Sequence, residues 1–239
     1  MEVRKPNEQQ IFMQLKEMKS PERTAPPGGS KREDCFTMIK GGKGYTIADI
    51  EALPEGDRAE LIDGEMFMMA SPLRIHQDII MQLAIEIGLY IRKNKGTCKV
   101  YTAPFAVHIK KDNRNYVEPD ISVICDRDKL DKKGCQGAPD WVIEILSPSS
   151  VEMDCERKVR LYRETGVREY WIADPERETV TVYDFEHSGV AQGTGTYTAG
   201  TCAAAPKQRD VPVCYAFSEP VKAGIFENLY LKLSDMDLR

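Results

Sequence analysis

The chain has 239 residues, of which 41% are hydrophobic and 30% charged, with a net charge of -5. That is enough chain for one sizeable core without covalent staples, and no apolar stretch approaches the roughly 20 residues that a membrane-spanning helix needs. The acidic balance argues against a broad basic surface that coats nucleic acid, although a local basic groove stays open.

Residues 1–44 read as a flexible tail and linker. A short amphipathic stretch with Ile11, Leu15 and Met18 leads into "SPERTAPPGGSKRE", dense in Pro, Gly, Ser and charge. The opening residues lack the apolar core and small-residue cleavage site of a secretory signal, so a cytoplasmic protein with no membrane partner is expected. The seven cysteines, Cys35, Cys98, Cys125, Cys135, Cys155, Cys202 and Cys214, are scattered without a C-x-x-C pair and read as reduced thiols.

The main domain is expected over residues 45–232, with 233–239 as a C-terminal tail. Thr46 is placed to cap a short helix carrying Ile47, Ile50 and Leu53. In "AELIDGEMFMMASP", Asp63 and Gly64 separate two apolar runs, and both tolerate the positive φ of a two-residue hairpin turn. "HQDIIMQLAIEIGLYIRKN" then puts Ile79, Ile80, Leu83, Ile87, Tyr90 and Ile91 on one helical face, with Arg92 and Lys93 suiting its C-terminus.

Three strand candidates follow, "CKVYTAPFAVHI", "PDISVIC" and "WVIEIL". A helix comes next, with Ser149 and Glu152 forming a capping box and Gly166 as its stop. "EYWIAD" and "TVTVYDF" supply two more strands, "HSGVAQGTGTYTAGT" a loop, "VPVCYAF" a last strand and "AGIFENLY" a short helix. This order of elements predicts an α/β fold, a central mixed β-sheet flanked by helices, preceded by a β-hairpin.

The chemistry is suggested by residues that break the apolar pattern. Glu144 interrupts the run Trp141–Leu146, where a lone ionised carboxylate needs a cation or a proton. Asp120 opens the preceding strand, so alternation lets both side chains project near one end of the sheet, close enough to share a divalent cation. Cys155, Lys158, Val159 and Tyr162 fall on the sheet-facing side of the following helix, which points the Lys158 amine at those carboxylates.

Plainer readings compete with each of these. Glu144 and Lys158 can be a buried pair that only stabilises, Asp120 a strand-opening residue after proline, and Glu60 a flank of the hairpin turn. Lys158 can also snorkel to water. Asp140 repeats the Pro-Asp pattern but reads as the opening residue of its strand. "KGGKGY" has no G-K-[ST] entering a helix, so a phosphate loop is not indicated.

Taken together, "RAELIDGEMFMMASPLRIHQ", "VEPDISVI", "GAPDWVIEILSPSS" and "DCERKVRLYRETGVREYWIADP" resemble the Uma-two family of bacterial restriction-endonuclease-like proteins, within the PD-(D/E)xK nuclease superfamily. The resemblance spans roughly residues 45–230. It implies a restriction-endonuclease-like core and Mg²⁺-dependent (or Mn²⁺-dependent) hydrolysis of phosphodiester bonds. Asp120 and Glu144 would be the metal ligands, and Lys158 and Glu60 further catalytic residues.

The superfamily's usual lysine position, two residues after the acidic ligand, holds Leu146 here, and the resemblance implies that Lys158, on the following helix, takes over its role. His76 matches a position the family commonly fills with His, without an evident task. The implied partner is nucleic acid, foremost DNA; oligomeric state stays open, a homodimer among the options. The rival reading is a catalytically inactive nucleic-acid-binding or assembly protein that keeps the fold.

Overall fold

The computed structural model describes residues 44–148, 150–187 and 212–238. The expected tail up to residue 43, the Ser149 cap and most of the loop after Phe185 lie outside them. Helix α1 (Ile47–Glu51) starts at Thr46, whose N–H donates to the Asp49 carboxylate at 2.8 Å. Strands β1 (Ala59–Ile62) and β2 (Glu65–Met68) form the expected hairpin, with Asp63 and Gly64 at φ 50° and 79°. Every residue of β1 is buried, and its other edge bonds the segment around Tyr116: the Leu61 N–H donates to the Tyr116 carbonyl at 2.7 Å and the Tyr116 N–H donates to the Leu61 carbonyl at 2.8 Å.

Helix α2 (Arg74–Lys93) follows. The strands after it are β3 (Lys99–Thr102), β4 (Val107–His108), β5 (Ile121–Ile124), β6 (Leu130–Asp131), β7 (Gly134–Gln136) and β8 (Trp141–Ile145). A helical segment with a widened π turn at Met153–Arg157 leads into α3 (Lys158–Thr165), and then come β9 (Glu169–Asp174), β10 (Thr179–Asp184) and β11 (Val213–Ala216). Gly166 ends α3 in the left-handed conformation at φ 91°, as a C-terminal glycine should.

A six-stranded sheet in the order β11-β10-β9-β8-β5-β3 forms the centre. Its neighbours are antiparallel except β8 and β9, which are parallel and joined through α3. The sheet is therefore mixed, as expected. Alternation along β8 decides what each face receives. Trp141, Ile143 and Ile145 face α2 and meet Ile79, Leu83 and Ile87, whereas Val142 and Leu146 face α3 and meet Val159, Leu161 and Tyr162. Glu144 shares the parity of the α3 side.

Several expectations need correction. "CKVYTAPFAVHI" is two strands in two sheets: Pro104, which has no N–H for a ladder, lies between β3 and β4, and β4 joins β7 and β6 in a small sheet. "AGIFENLY" forms turns, not a helix, and connects β12 (Val221–Lys222) to β13 (Tyr230–Leu231), which pair with each other. Residues 233–238, expected as a tail, pack Leu233 into the α2-side core.

The thiol expectation also fails for one pair. The register Lys99↔Ile124 sets Cys98 opposite Cys125, and the two form a disulfide. Cys135 and Cys155 are buried free thiols, pushed up to about 11 and about 12 by burial, so they are inert rather than nucleophilic.

The two faces of α2 should respond differently to truncation. Leu83 is fully buried, and Leu83→Ala is expected to cost about 2–5 kcal/mol in urea unfolding. Glu86→Ala, on the solvent side, should stay within about 0.5 kcal/mol of wild type.

Candidate active site

One cation and three carboxylates meet behind the sheet. Lys158, the first residue of α3, places Nζ 2.8 Å from Glu144 Oε1, 2.9 Å from Glu60 Oε2 and 3.4 Å from Asp154 Oδ1. The four residues are 3–4% exposed. Tyr162, one turn further along α3, donates its hydroxyl to the same Glu144 Oε1 at 2.8 Å. Glu60 comes from β1 and is fixed by the Glu118 N–H, which donates to its Oε1 at 3.0 Å. The buried hairpin edge thus carries a carboxylate into the site.

The register of β5 and β8 brings in Asp120. Ile121 pairs with Ile143, so the next pair outward is Asp120 opposite Glu144. The Asp120 N–H donates to Glu144 Oε2 at 3.3 Å, and Asp120 Oδ2 accepts from the Ile145 N–H at 2.8 Å. His76, in the first turn of α2, lies with Nε2 3.1 Å from the same Oδ2. The Asp120 and His76 side chains are each 13% exposed, so this end is the more open one and Glu144 lies inward of it. His76 Nδ1 is buried with no hydrogen-bond partner among the described residues, which fits a proton on Nε2 aimed at Asp120.

The electrostatics follow from the count. Burial pushes Glu144 well above the usual carboxylate range, and Asp154 and Asp120 add to this while Lys158 opposes it. Burial likewise pushes Asp154 up to about 6, again against Lys158. For Lys158 itself desolvation pulls downward, but Glu144, Glu60 and Asp154 outweigh it, and the ammonium is held well above the usual lysine range. Burial, then the charge of Glu144, raises Tyr162, which keeps its proton. Lys158 is therefore a resident positive charge, not a free amine.

A divalent metal can be tested against the donors. Among the described residues no group of three or more His, Cys, Asp or Glu is arranged as a ready metal cage. Mg²⁺, however, commonly uses only one or two carboxylates and keeps several waters. Asp120 and Glu144 are hard oxygen donors joined through one backbone N–H, and Asp120 Oδ1 bonds no group among the described residues. The donor chemistry fits such a two-carboxylate ion.

All four residues singled out in the sequence, Asp120, Glu144, Lys158 and Glu60, thus converge, and His76 gains a partner in Asp120. Asp154 and Tyr162 went unnoticed as site residues. Both lie four positions from Lys158, where helical neighbours touch, and that spacing was the available signal. The π turn, a feature frequent at functional sites, leaves no such trace in sequence. Asp140 immediately precedes β8, and its Oδ2 accepts from the Cys125 N–H just beyond β5 at 2.7 Å.

The mixed sheet with its flanking helices matches a crystal structure described as "a putative nuclease belonging to DUF820" from Anabaena variabilis, with a TM-score of 0.59 and 21% identity over 80% of this chain and 96% of that one. The chain thus shares the α/β fold of that protein. Residues 47–201 match the Uma2 family, described as "Putative restriction endonuclease", and the chain belongs to that family.

An uncharacterized protein of Synechocystis, slr1290, is 31% identical over 108 residues, 44% of this chain and 54% of its own length. GTPase Era of Dinoroseobacter shibae is 24% identical over 164 residues, 62% of this chain and 48% of its own. The chain spans about half the length of these curated relatives. Nowhere does it carry the G-x-x-x-x-G-K-[ST] of a nucleotide phosphate loop. No helix among the described residues is long and apolar enough to cross a membrane.

The charge imbalance makes a pH prediction. A carboxyl raised in the folded state contributes stability that is complete below its unfolded pKa and is lost as pH rises through the folded value. For Asp154 that window runs from its ordinary 3.8 to about 6. Asp154→Asn should match wild type in melting temperature below the window, exceed it above, and so flatten the profile. Lys158→Met removes the cation from three buried carboxylates and is expected to cost about 3–5 kcal/mol near neutral pH, partly regained in acid.

Proposed function

We propose that the chain is a metal-dependent endonuclease that hydrolyses phosphodiester bonds of nucleic acid, foremost DNA, through Asp120, Glu144, Lys158 and Glu60. The observation that carries this reading is a carboxylate pair at the open end of the sheet backed by a buried ammonium. Structural ion pairs alone do not call for Asp120, which has no Lys or Arg partner among the described residues and touches the His76 ring instead.

On this reading Asp120 and Glu144 hold Mg²⁺ or Mn²⁺. When bound, the ion supplies Lewis acidity toward a phosphoryl oxygen and lowers the pKa of a bound water. Ile145 N–H and His76 fix Oδ2 of Asp120, which leaves Oδ1 for ligation. Lys158 and Tyr162 pin Oε1 of Glu144, which leaves Oε2 turned toward Asp120. Because its carboxylate neighbours hold Lys158 protonated, its part is electrostatic: a fixed positive charge that favours the negative charge developing on the phosphoryl group. The proton of the attacking water must go elsewhere than to Lys158. Glu60 keeps the ammonium in place from the hairpin side.

A second reading has its own observation. Glu144 and Lys158 satisfy each other away from solvent, as in a purely structural pair, and a nucleic-acid-binding protein that keeps the fold without hydrolysis would look the same there.

Two measurements separate them. Plasmid, single-stranded DNA and RNA are incubated with wild type in Mg²⁺ and Mn²⁺, and melting temperatures are recorded with and without each metal. The nuclease reading expects metal-dependent cleavage and a metal-induced rise in melting temperature, both abolished in Asp120→Ala and in Glu144→Ala. Binding without cleavage of any substrate supports the second reading. Cleavage by the double alanine variant at the wild-type rate sinks the proposed site.

A further inference from the structure

Helix α2 carries a second apolar stripe that its own sheet does not cover. Met81, Ile85 and Leu89 are 59%, 44% and 43% exposed, and they make up most of the large apolar side chains left exposed among the described residues. At about 100° per residue, Arg74, Asp78, Met81, Ile85, Leu89 and Arg92 all fall within about 40° of the direction of Ile85. That direction is opposite to Leu83 and Ile87, which are fully buried against the sheet. Scattered single apolar residues on a surface are ordinary, but a continuous stripe rimmed by charge marks an interaction site.

The pattern along the stripe is self-complementary. If a second α2 runs antiparallel with Ile85 on the two-fold axis, Met81 meets Leu89 of the other copy and Asp78 meets Arg92. Such a mutual match is what an isologous two-fold interface requires. Asp78 is already ion-paired with Arg74 one turn away, so Arg92 of the second copy would add a second cation to one carboxylate. A parallel pairing would instead set Asp78 against Asp78 and Arg92 against Arg92. The charges thus select both the occupant and its direction.

We propose that the outer face of α2 is a homodimer interface, with two copies of the chain packed antiparallel about Ile85. The assignment rests on exposure and charge pattern and is independent of the nuclease reading. Six side chains per subunit are fewer than the roughly 20–30 residues a side of a stable complex, so the association is weak and concentration-dependent. The two His76 residues, each nine positions from the axis, are held about 27 Å apart along the paired helices.

Sedimentation velocity of the full chain over a concentration series tests this. Wild type should pass from one-chain to two-chain mass as concentration rises. Ile85→Glu should stay monomeric with an unchanged melting temperature, since its side chain already meets water in the monomer. Asp78→Arg and Arg92→Asp should each weaken the dimer about tenfold by setting like charges opposite one another, and the double exchange should recover most of the loss. Wild type that stays monomeric throughout overturns the proposal, and would turn attention to the apolar stretch at Ile11, Leu15 and Met18 as the cover. A dimer that survives Ile85→Glu, or an exchange that recovers nothing, overturns it as well.

Discussion

The ammonium of Lys158 inside a shell of three carboxylates is the interaction on which the rest depends. Each of those charges alone would be costly to bury. Together they tie three otherwise separate elements, the hairpin through Glu60, the central sheet through Glu144 and the helical crossover through Asp154 and Lys158. The set is not balanced, because one cation faces three acids. The surplus appears as a raised proton affinity of Glu144 and Asp154. On the proposed function it also favours a further cation beside Asp120, since a divalent ion would offset charge that the lysine cannot. A purely structural pair would be better served by one acid and one base, and buried pairs are weak stabilisers in any case.

Topology makes this shell available. The antiparallel step from β5 to β8 sets Asp120 across from Glu144, and the parallel step from β8 to β9 requires a crossover over one face of the sheet. Glu144 points to that face by alternation, so the crossover helix must pass over it. Whatever residue begins α3 then lies above a buried carboxylate. A lysine there is fixed by the geometry of the connection more than by any local motif, which explains how it can serve from a helix when the strand position two residues after Glu144 holds Leu146.

The sequence displayed the parts of this site that break a pattern and hid those that conform to one. Glu144 stood out because an acid interrupts an apolar strand, and Lys158 because it lies on an apolar helical face. The hairpin at Asp63 and Gly64 was legible from turn chemistry, since only such residues accept two successive positive φ values. Asp154 was hidden in a charged stretch, "EMDCERK", where an acid looks like ordinary solvent-facing surface. The Cys98–Cys125 bridge was hidden because their proximity follows from strand register, not from spacing. β6 and β7 escaped notice, and β4 was merged with β3, because strands of two or three residues have too few positions to show alternation.

Helix α2 joins the site to the surface. Its sequence is apolar on two opposite sides, which is the composition of a helix covered from both directions rather than of a solvent-facing one. The inner side is covered by the sheet. Its first turn delivers His76 to Asp120, and the Nδ1 of that histidine, buried and without a hydrogen-bond partner among the described residues, shows how closely the ring is enclosed there. Any shift of α2 along or across the sheet would therefore be felt as a change in the His76–Asp120 contact. A partner helix clasped to the outer stripe would restrict that shift. On the proposed dimer, the orientation of Asp120 would be linked to association through one helix, with no contact between the second copy and the carboxylates themselves.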